Sequence, residues 1–498
     1  MRHPVLLCVL AACGAMDMTA ASRRPMMSRQ RRLAIAHPEP ATGEDYKDWG
    51  KNPWIDTTHD HLSTFAADVD TASYTIARRK LQEGALPPEA SVRVEEWVNY
   101  FHYAFPEPTA GTPFSVVMDA AAHPFEADRY VLRVGVATKP KPVGERKPAN
   151  LVFLVDVSGS MSSPDKLELA KRALEILTTN LSDQDSVAIV TYAGNSRVVL
   201  PRTSIDHKDR ILGAIRSLHT GGGTAMASGI DLAYEQASAN LKAGTISRVI
   251  VCTDGDANVG PHSFQELLDI IASRAKQGVT LSAIGFGMGN YKDNLMEQLA
   301  DKSNGNNYYI DSIDAAKRVF AEQLTATLEV AAKDVKLQVD FNPEQVARYR
   351  LIGYENRDVA DQDFRNDSVA AGQMGWGHQV TALYDIELTP VGHMLRAPIG
   401  HVSIRHKLPE SEAATEEAFA MAGPPAASIN EASPDLRFAF AVAALADVLR
   451  GGHDARGWSL DDIRALAASA ATDKDRTELL ALIDQAHKLR GTASTIAR

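Results

Sequence analysis

Cysteine is nearly absent, with three in 498 residues, and two of these, Cys8 and Cys13, lie in an apolar stretch at the N-terminus. Cys252 is left alone in the body of the chain, so no disulfide can form within the folded region. Its surroundings, Val249-Ile250-Val251-Cys252, read as a buried strand in which the thiol is a small core group. Long hydrophobic runs are also lacking. No later segment reaches the roughly 20 apolar residues that a spanning helix needs. The best candidate, Leu436 to Leu449, is too short and contains Asp447, which describes a buried helix. Positive charge is in deficit, 52 Lys and Arg against 63 Asp and Glu for a net charge of -11. That balance argues against a broad phosphate-binding face, and so against nucleic acid as a partner. There is no G-x-S-x-G elbow, no H-E-x-x-H helix and no G-x-x-x-x-G-K-[ST] loop. The 15 histidines show no metal-ligand spacing; His59 and His61 are close but have no evident partner.

What remains is an ordinary globular composition, 45% hydrophobic and 23% charged, in a chain long enough for two to four domains. Residues 1–13 read as a signal segment, with a charge at Arg2, apolar residues from Val5 to Ala12, then small residues. Residues 14–50 lack apolar periodicity and describe a tether, basic at Arg23, Arg24, Arg29, Arg31 and Arg32, which could touch acidic lipid. In residues 51–148, aromatic and aliphatic residues recur at helical spacing between Leu62 and Phe105, with helices expected over Ser73–Gln82 and Val92–Tyr103 and a break at Pro87-Pro88. Strand patterns follow at Phe114–Met118 and Tyr130–Val136.

Residues 149–332 alternate apolar β-runs with amphipathic helices. Strands are expected at Leu151–Val155, Val187–Tyr192, Val198–Leu200, Val249–Cys252, Val279–Ile284 and Tyr308–Ile310, with a last helix over Asp314–Ala332. Continuous apolar strands suit a sheet covered on both faces, so the expected fold is α/β, doubly wound around a mostly parallel, Rossmann-like sheet. Residues 333–408 return to strands at Val335–Phe341, Tyr349–Ile352, Val380–Leu388 and Val402–Arg405. They resume the pattern left at Val136, as if the α/β domain were inserted into a β-sandwich. Residues 409–434 have a linker's composition, and residues 435–498 are expected to be helical, with an N-cap at Ser459.

The chemistry concentrates after the first strand of the α/β domain. Asp156-Val157-Ser158-Gly159-Ser160 places oxygen donors at alternate positions, where a turn at a strand's carboxyl end can aim them at one point. A carboxylate with two hydroxyls is a hard-oxygen set suited to Mg²⁺, with Mn²⁺ or Ca²⁺ as alternatives. Thr224, after Gly221-Gly222-Gly223, and Asp254, after the strand ending at Cys252, are further donors that this topology would bring to the same place. Asp256 could assist the site or cap the next helix. Asp68 and Asp70 could form a second cation site or cap the following helix, and capping is the expectation for both pairs.

Asp156-x-Ser158-x-Ser160, Thr224 and Asp254 resemble, position by position, the metal-ion-dependent adhesion site of von Willebrand factor type A (VWA) domains. That resemblance implies that Asp156, Ser158, Ser160 and Thr224 are direct or near-direct ligands, that Asp254 binds directly or through water, and that a partner's carboxylate completes the octahedron. Asp68-Val69-Asp70-Thr71-Ala72-Ser73-Tyr74, Arg93-Val94-Glu95-Glu96, the run from Gly285 to Tyr291 and the run from Leu351 to Arg357 resemble bacterial YfbK-type VWA lipoproteins, from about residue 50 to the C-terminus. Leu10-Ala11-Ala12-Cys13-Gly14 resembles the bacterial lipobox. It implies lipidation of Cys13 and a protein held in the cell envelope, on the periplasmic or outer-membrane side. If the segment is not a working signal, the alternative is a cytoplasmic protein.

Enzyme readings of the same residues fail on particulars. A strand followed by Asp156 resembles the haloacid-dehalogenase-type phosphatases, but the position of their general acid, two residues on, is Ser158. Gly285-Phe286-Gly287-Met288-Gly289 is G-x-G-x-G where a dinucleotide loop needs G-x-G-x-x-G. The expectation is therefore a metal-dependent module that binds an acidic side chain of a protein partner, with no small-molecule substrate. The alternatives are an envelope scaffold in which the cation only stabilises the fold, and, further behind, a metal-dependent hydrolase.

Overall fold

The computed structural model describes residues 43–496, apart from 109–110, 240, 257–263, 290, 370, 396 and 422. The signal segment, Cys13 and the basic tether lie outside the described residues. At the centre, the strand Ala149–Asp156 is buried along its whole length. Leu151, Phe153 and Val155 point into one apolar cluster, and Val152 and Leu154 into another on the opposite face. This two-sided burial explains the unbroken apolar run in the sequence. The sheet order is Asn307–Ile310, Val279–Phe286, Ile246–Thr253, Ala149–Asp156, Ser186–Tyr192 and Ser196–Ser204. The first five strands are parallel and the last is an antiparallel edge. Helices cover both faces, giving the VWA-type doubly wound α/β fold expected from the strand pattern.

The strands before and after this domain pair with one another. Phe114–Ala122 and Arg129–Thr138 form a hairpin, and the second runs antiparallel to Gln379–Leu388, which pairs onward with Val346–Ile352 and Ile55–Asp56. A second sheet is built on Val330–Phe341, flanked by Gly400–Lys407, Leu62–Ala66 and Gly372–Gly375. Leu132, Val134, Leu337, Val339, Tyr384, Ile386, Val402 and Ile404 meet between the two sheets as a sandwich core. The α/β domain is therefore an insertion between the hairpin and the strand Val330–Phe341. The C-terminal helices pack on the outer side of the first sheet. Pro434–Leu449 is buried nearly all round against Trp97, Leu383, Ile463 and Leu479, which accounts for its apolar composition. Asp447 is satisfied there by Arg450 at 2.8 Å, and no described helix is long and apolar enough to cross a membrane. Ser459 caps Leu460–Ala468 through the amides of Asp461 and Asp462.

Four local expectations change. Leu62–Ala66, in a stretch with helical spacing, is a strand, because Val330–Phe341 offers it an edge. Residues 409–434 contain the strand Ala414–Ala420, paired with Gly400–Lys407. The helix expected over Asp314–Ala332 is broken into Ile313–Lys317, a π-helical turn Arg318–Glu322 and Leu324–Leu328, and the chain is already a strand from Val330. Arg318 in that turn is drawn to the carbonyl of Tyr100 and the carboxylate of Asp475. Asp68 and Asp70 do not cap the helix Ala72–Gln82, whose N-cap is Thr71 with no side-chain bond. Instead both grip Arg357, through Nε to Asp68 at 3.0 Å and Nη2 to Asp70 at 3.2 Å, while Asp70 Oδ1 also accepts the amide of Asn307.

Arg357 reaches Glu297 and Asp301 in the helix Asp293–Lys302 as well, so one guanidinium joins the N-terminal block, the sandwich and the α/β domain. Removing one partner of a buried ion pair strands the rest, at about 3–5 kcal/mol. Arg357→Met is expected to lower unfolding stability by an amount in that range in urea titrations; a change below about 1 kcal/mol would show that the Arg357 ion pairs do not hold the junction.

His378 supplies a pH-sensitive contact of the opposite kind. It is buried, and its Nδ1 accepts the amide of Gly375 at 3.0 Å, a bond the imidazolium cannot make. Burial, then the charges of Arg248 and His102, lower its pKa from 6.5 to about 3. The unfolded chain takes up this proton near pH 6.5 and the folded protein only near 3, so this group's share of stability falls as pH drops through that window, by about 1.4 kcal/mol per pH unit. His378→Gln, which keeps an acceptor, is expected to flatten the acid limb of a stability–pH profile.

Candidate functional site

The carboxyl ends of the parallel strands bring the predicted donors to one edge. Ala149–Asp156 ends on Asp156, and the chain turns over Ser158 and Ser160 before a short turn of helix, Gly159–Ser162. Three backbone bonds tie this turn to its neighbours: Val157 N to the carbonyl of Tyr192 at 3.0 Å, Gly159 N to that of Gly222 at 3.2 Å, and Gly221 N to that of Val157 at 2.7 Å. The glycine run is thus laid directly on the Asp-Ser-Ser loop. Gly222 has φ +90°, and a Cβ there would meet the amide nitrogen of Gly194 at 3.2 Å, so glycine suits both the conformation and the approach. Thr224 follows two residues later, half-buried, just before the helix Met226–Ser238.

Within the loop, Asp156 Oδ1 accepts the amide of Ser158 at 2.9 Å, and Oδ2 accepts the hydroxyl of Thr253 at 3.0 Å. The hydroxyls of Ser158 and Ser160 lie 2.9 Å apart. Asp254, fully buried, accepts the amide of Asp256 on Oδ1 at 3.1 Å and the ammonium of Lys166 on Oδ2 at 2.9 Å. Burial is the main cause raising the pKa of Asp156; the bonds from Ser158 and Thr253 oppose it, and nearby Asp254 adds to it. The phenol of Tyr192 is buried beside Asp156 and Thr253.

Asp156, Ser158, Ser160, Thr224 and Asp254 offer only oxygen, and only two are carboxylates. Buried carboxylates with hydroxyls at hydrogen-bond distance fit a hard divalent cation and not a thiophilic one. The site is graded by depth. Asp156, Ser158 and Asp254 are buried, whereas Ser160 and Thr224 are half-exposed at the rim.

Two participants were not evident from the sequence. Thr253 orients Asp156 from the neighbouring strand, and nothing in its sequence context marks it. Lys166 lies in a π-helical segment, Pro164–Glu168, leading into the helix Leu169–Asn180, a distortion frequent at functional positions. Its aliphatic stem lies on Gly287, where a Cβ would fall 2.3 Å from Lys166 Cγ. The glycines after Val279–Phe286 therefore serve close packing, in keeping with the poor match to a dinucleotide loop. Asp256 is exposed, and its amide, not its side chain, is what bears on the site. The expectation that Asp256 caps the next helix falls on residues 257–263, which lie outside the described residues.

Comparison with known proteins agrees with this organisation. Residues 40–133 match the family described as von Willebrand factor, residues 150–322 the von Willebrand factor type A domain, and residues 326–489 the family described as Uncharacterized protein YfbK, C-terminal. The chain is 26% identical over 288 residues to the uncharacterized protein sll0103 of Synechocystis sp., covering 56% of this chain and 66% of that one. A solved von Willebrand factor type A protein from Catenulispora acidiphila is similar at 19% identity with a TM-score of 0.42, covering 74% of this chain and 89% of that one. With the Uncharacterized protein YfbK of Escherichia coli (strain K12) the identity is 36% over 490 residues, 93% of this chain and 84% of that protein. On that likeness, and on a VWA domain followed by a YfbK C-terminal region, the chain belongs to the YfbK family of VWA-domain proteins.

Proposed function

We propose that this protein is a metal-dependent protein-binding module of the bacterial cell envelope, in which Asp156, Ser158, Ser160, Thr224 and Asp254 hold a divalent cation, Mg²⁺ first and Mn²⁺ or Ca²⁺ as alternatives. The carrying observation is the depth gradient: carboxylates at the bottom of the site, neutral hydroxyls at a rim that an outside group can reach. A cation held this way supplies a coordination position for a carboxylate of the partner. The chain's own residues do the rest. Ser158 N and Thr253 Oγ1 fix the two oxygens of Asp156, and the loop bonds to Gly222 and Tyr192 hold the turn in place. A net charge of -11 would repel an acidic partner, so recognition of a carboxylate depends on local positive charge that only the site can provide. A binding role is preferred to catalysis because Ser158 stands where a phosphatase of this topology needs an acid, and its hydroxyl is engaged with Ser160.

Lys166 is the resident counter-charge of Asp254. For that carboxylate to serve a cation, the ammonium must give up Oδ2. Isothermal titration of Mg²⁺ into the EDTA-stripped protein is expected to show saturable binding that disappears in Asp156→Ala. It should tighten about fivefold, equivalent to about 1 kcal/mol, in Lys166→Met, which keeps the stem over Gly287. Binding unaffected by Asp156→Ala would sink the assignment, and weaker binding in Lys166→Met would make the lysine a supporter of the site.

Envelope attachment is carried by Leu10-Ala11-Ala12-Cys13-Gly14. Mass spectrometry of protein from the native membrane fraction is expected to find an N-terminus at Cys13 bearing acyl chains; an unmodified Met1 on the mature protein would end that part of the reading.

A further inference from the structure

Residues 14–50 have the composition of a tether, yet Gly43–Tyr46 lies against the chain that follows the strand Val279–Phe286. Gly43 N donates to the carbonyl of Gly289 at 2.8 Å and Asp45 N to that of Tyr291 at 3.0 Å, with Asp45 paired in parallel to Lys292. The ammonium of Lys292 donates back to the carbonyl of Gly43. Glu44 closes the contact. Its Oε1 accepts the amide of Gly289 at 3.0 Å and its Oε2 meets Lys80, in the helix Ala72–Gln82, at 2.8 Å, on a side chain 2% exposed. Tyr46 packs on the apolar cluster that holds Val152 and Leu154.

This strap stands one peptide unit away from the loop that carries Asp254. The carbonyl of Tyr291 takes the bond from Asp45, while the nitrogen of the same peptide, on Lys292, lies where a Cβ on Gly255 would fall 2.6 Å from it. Gly255 has φ +80°, a conformation that favours glycine, so no side chain cushions the contact. Two bonds lead inward from there: Gly255 N to Thr253 Oγ1 at 3.1 Å, and Thr253 Oγ1 to Asp156 Oδ2 at 3.0 Å. On the next residue, Asp256 N holds Asp254 Oδ1 at 3.1 Å. The backbone pressed by the strap is thus the backbone that orients both carboxylates.

The strap is also light enough to leave. Gly43 and Asp45 are exposed, and Tyr46 is its only apolar anchor. The phenol oxygen of Tyr46 is buried without a hydrogen-bond partner, which subtracts from what its packing contributes. Segments held by so few buried contacts open at low free energy.

We propose that Gly43–Tyr46 is a regulatory strap whose docking rigidifies the Asp254 loop and so sets the cation affinity of Asp156 and Asp254. The inference rests on the reading of those residues as cation ligands. Docked, the strap backs the Tyr291–Lys292 peptide against Gly255 and the carboxylates stay oriented. Undocked, the loop loses that backing and the cation is held less firmly. Linkage makes the effect reciprocal, so that a cation at the site tightens docking of the strap by the same factor. A pull on the chain before Gly43 therefore loosens the site from outside it.

The test uses the full chain. Asp45→Pro removes the amide that bonds Tyr291, and Glu44→Gln removes the charge paired with Lys80; neither touches a proposed ligand. Calorimetric titration is expected to show Mg²⁺ affinity lower by about tenfold in Asp45→Pro, the order of a typical coupling between sites, and lower by a smaller factor in Glu44→Gln. Affinity equal to wild type in both overturns the proposal. Hydrogen exchange on the wild type reads the reverse direction: saturating Mg²⁺ should slow exchange of the Gly43 and Asp45 amides, and unchanged rates overturn the proposal. Should Asp45→Pro fail to fold, Glu44→Gln and the wild-type exchange decide. If the wild type binds no Mg²⁺, the cation reading fails by itself, and the coupling is judged from exchange at Gly255 and Asp256. Faster exchange there in the strap variants upholds it, and unchanged exchange overturns it.

Discussion

The N-terminal block, the sandwich and the α/β domain meet at one guanidinium. Arg357 leaves the turn after Val346–Ile352 and binds Asp68 and Asp70 from the N-terminal block and Glu297 and Asp301 from the α/β domain. Arg93 repeats the device from the other side, reaching Glu96 beside it and Asp293 across the junction. An inserted domain joined at only two chain crossings would otherwise be free to turn about them. These contacts give it a single pose, and they do so with charged groups that have no satisfactory alternative partner once buried.

The same junction lies next to the loop that leads from the carboxyl edge of the central sheet. Lys166, paired with Asp254, packs on Gly287, and the chain from there reaches Tyr291, whose ring crowds Gly285, and then Asp293. Gly255, one residue past Asp254, sits where a Cβ would fall 2.6 Å from the amide nitrogen of Lys292. The Asp254 loop and the start of the helix Asp293–Lys302 are therefore in contact through backbone, with no compressible side chain between them. Close-packed contacts of this kind transmit small displacements instead of absorbing them.

Much of this was readable in the sequence, and the division follows the range of the interactions. The five parallel strands of the central sheet were evident because burial on both faces forces runs such as Leu151–Val155, whereas the exposed edge Ser196–Ser204 showed only its short apolar run Val198–Leu200. The pairing of strands from both sides of the insertion followed from the resumption of the pattern at Val335. What escaped was set by partners distant in the chain. Leu62–Ala66 becomes a strand only because Val330–Phe341 lies beside it, and Ala414–Ala420, mostly polar and half-exposed, only because Gly400–Lys407 does. Asp68 and Asp70 read as helix caps until Arg357, some 290 positions on, is placed between them. Lys166 carries no local mark of its role, since the carboxylate it meets is 88 residues away.

The chain uses carboxylates in two opposed ways. At the ends of the central strands they are few: Asp156 and Asp254 stand with the neutral hydroxyls of Ser158, Ser160 and Thr224, so a cation held there as proposed would keep its appetite for an outside anion. At the junction they are many and crowded, and Arg93 and Arg357 sit among them, so the charge there is spent within the protein. A site built for capture must leave positive charge unspent, while a site built for fastening must absorb it. The two places therefore differ in reach as well as in charge: Ser160 and Thr224 are half-exposed, whereas the carboxylates around Glu95 are buried.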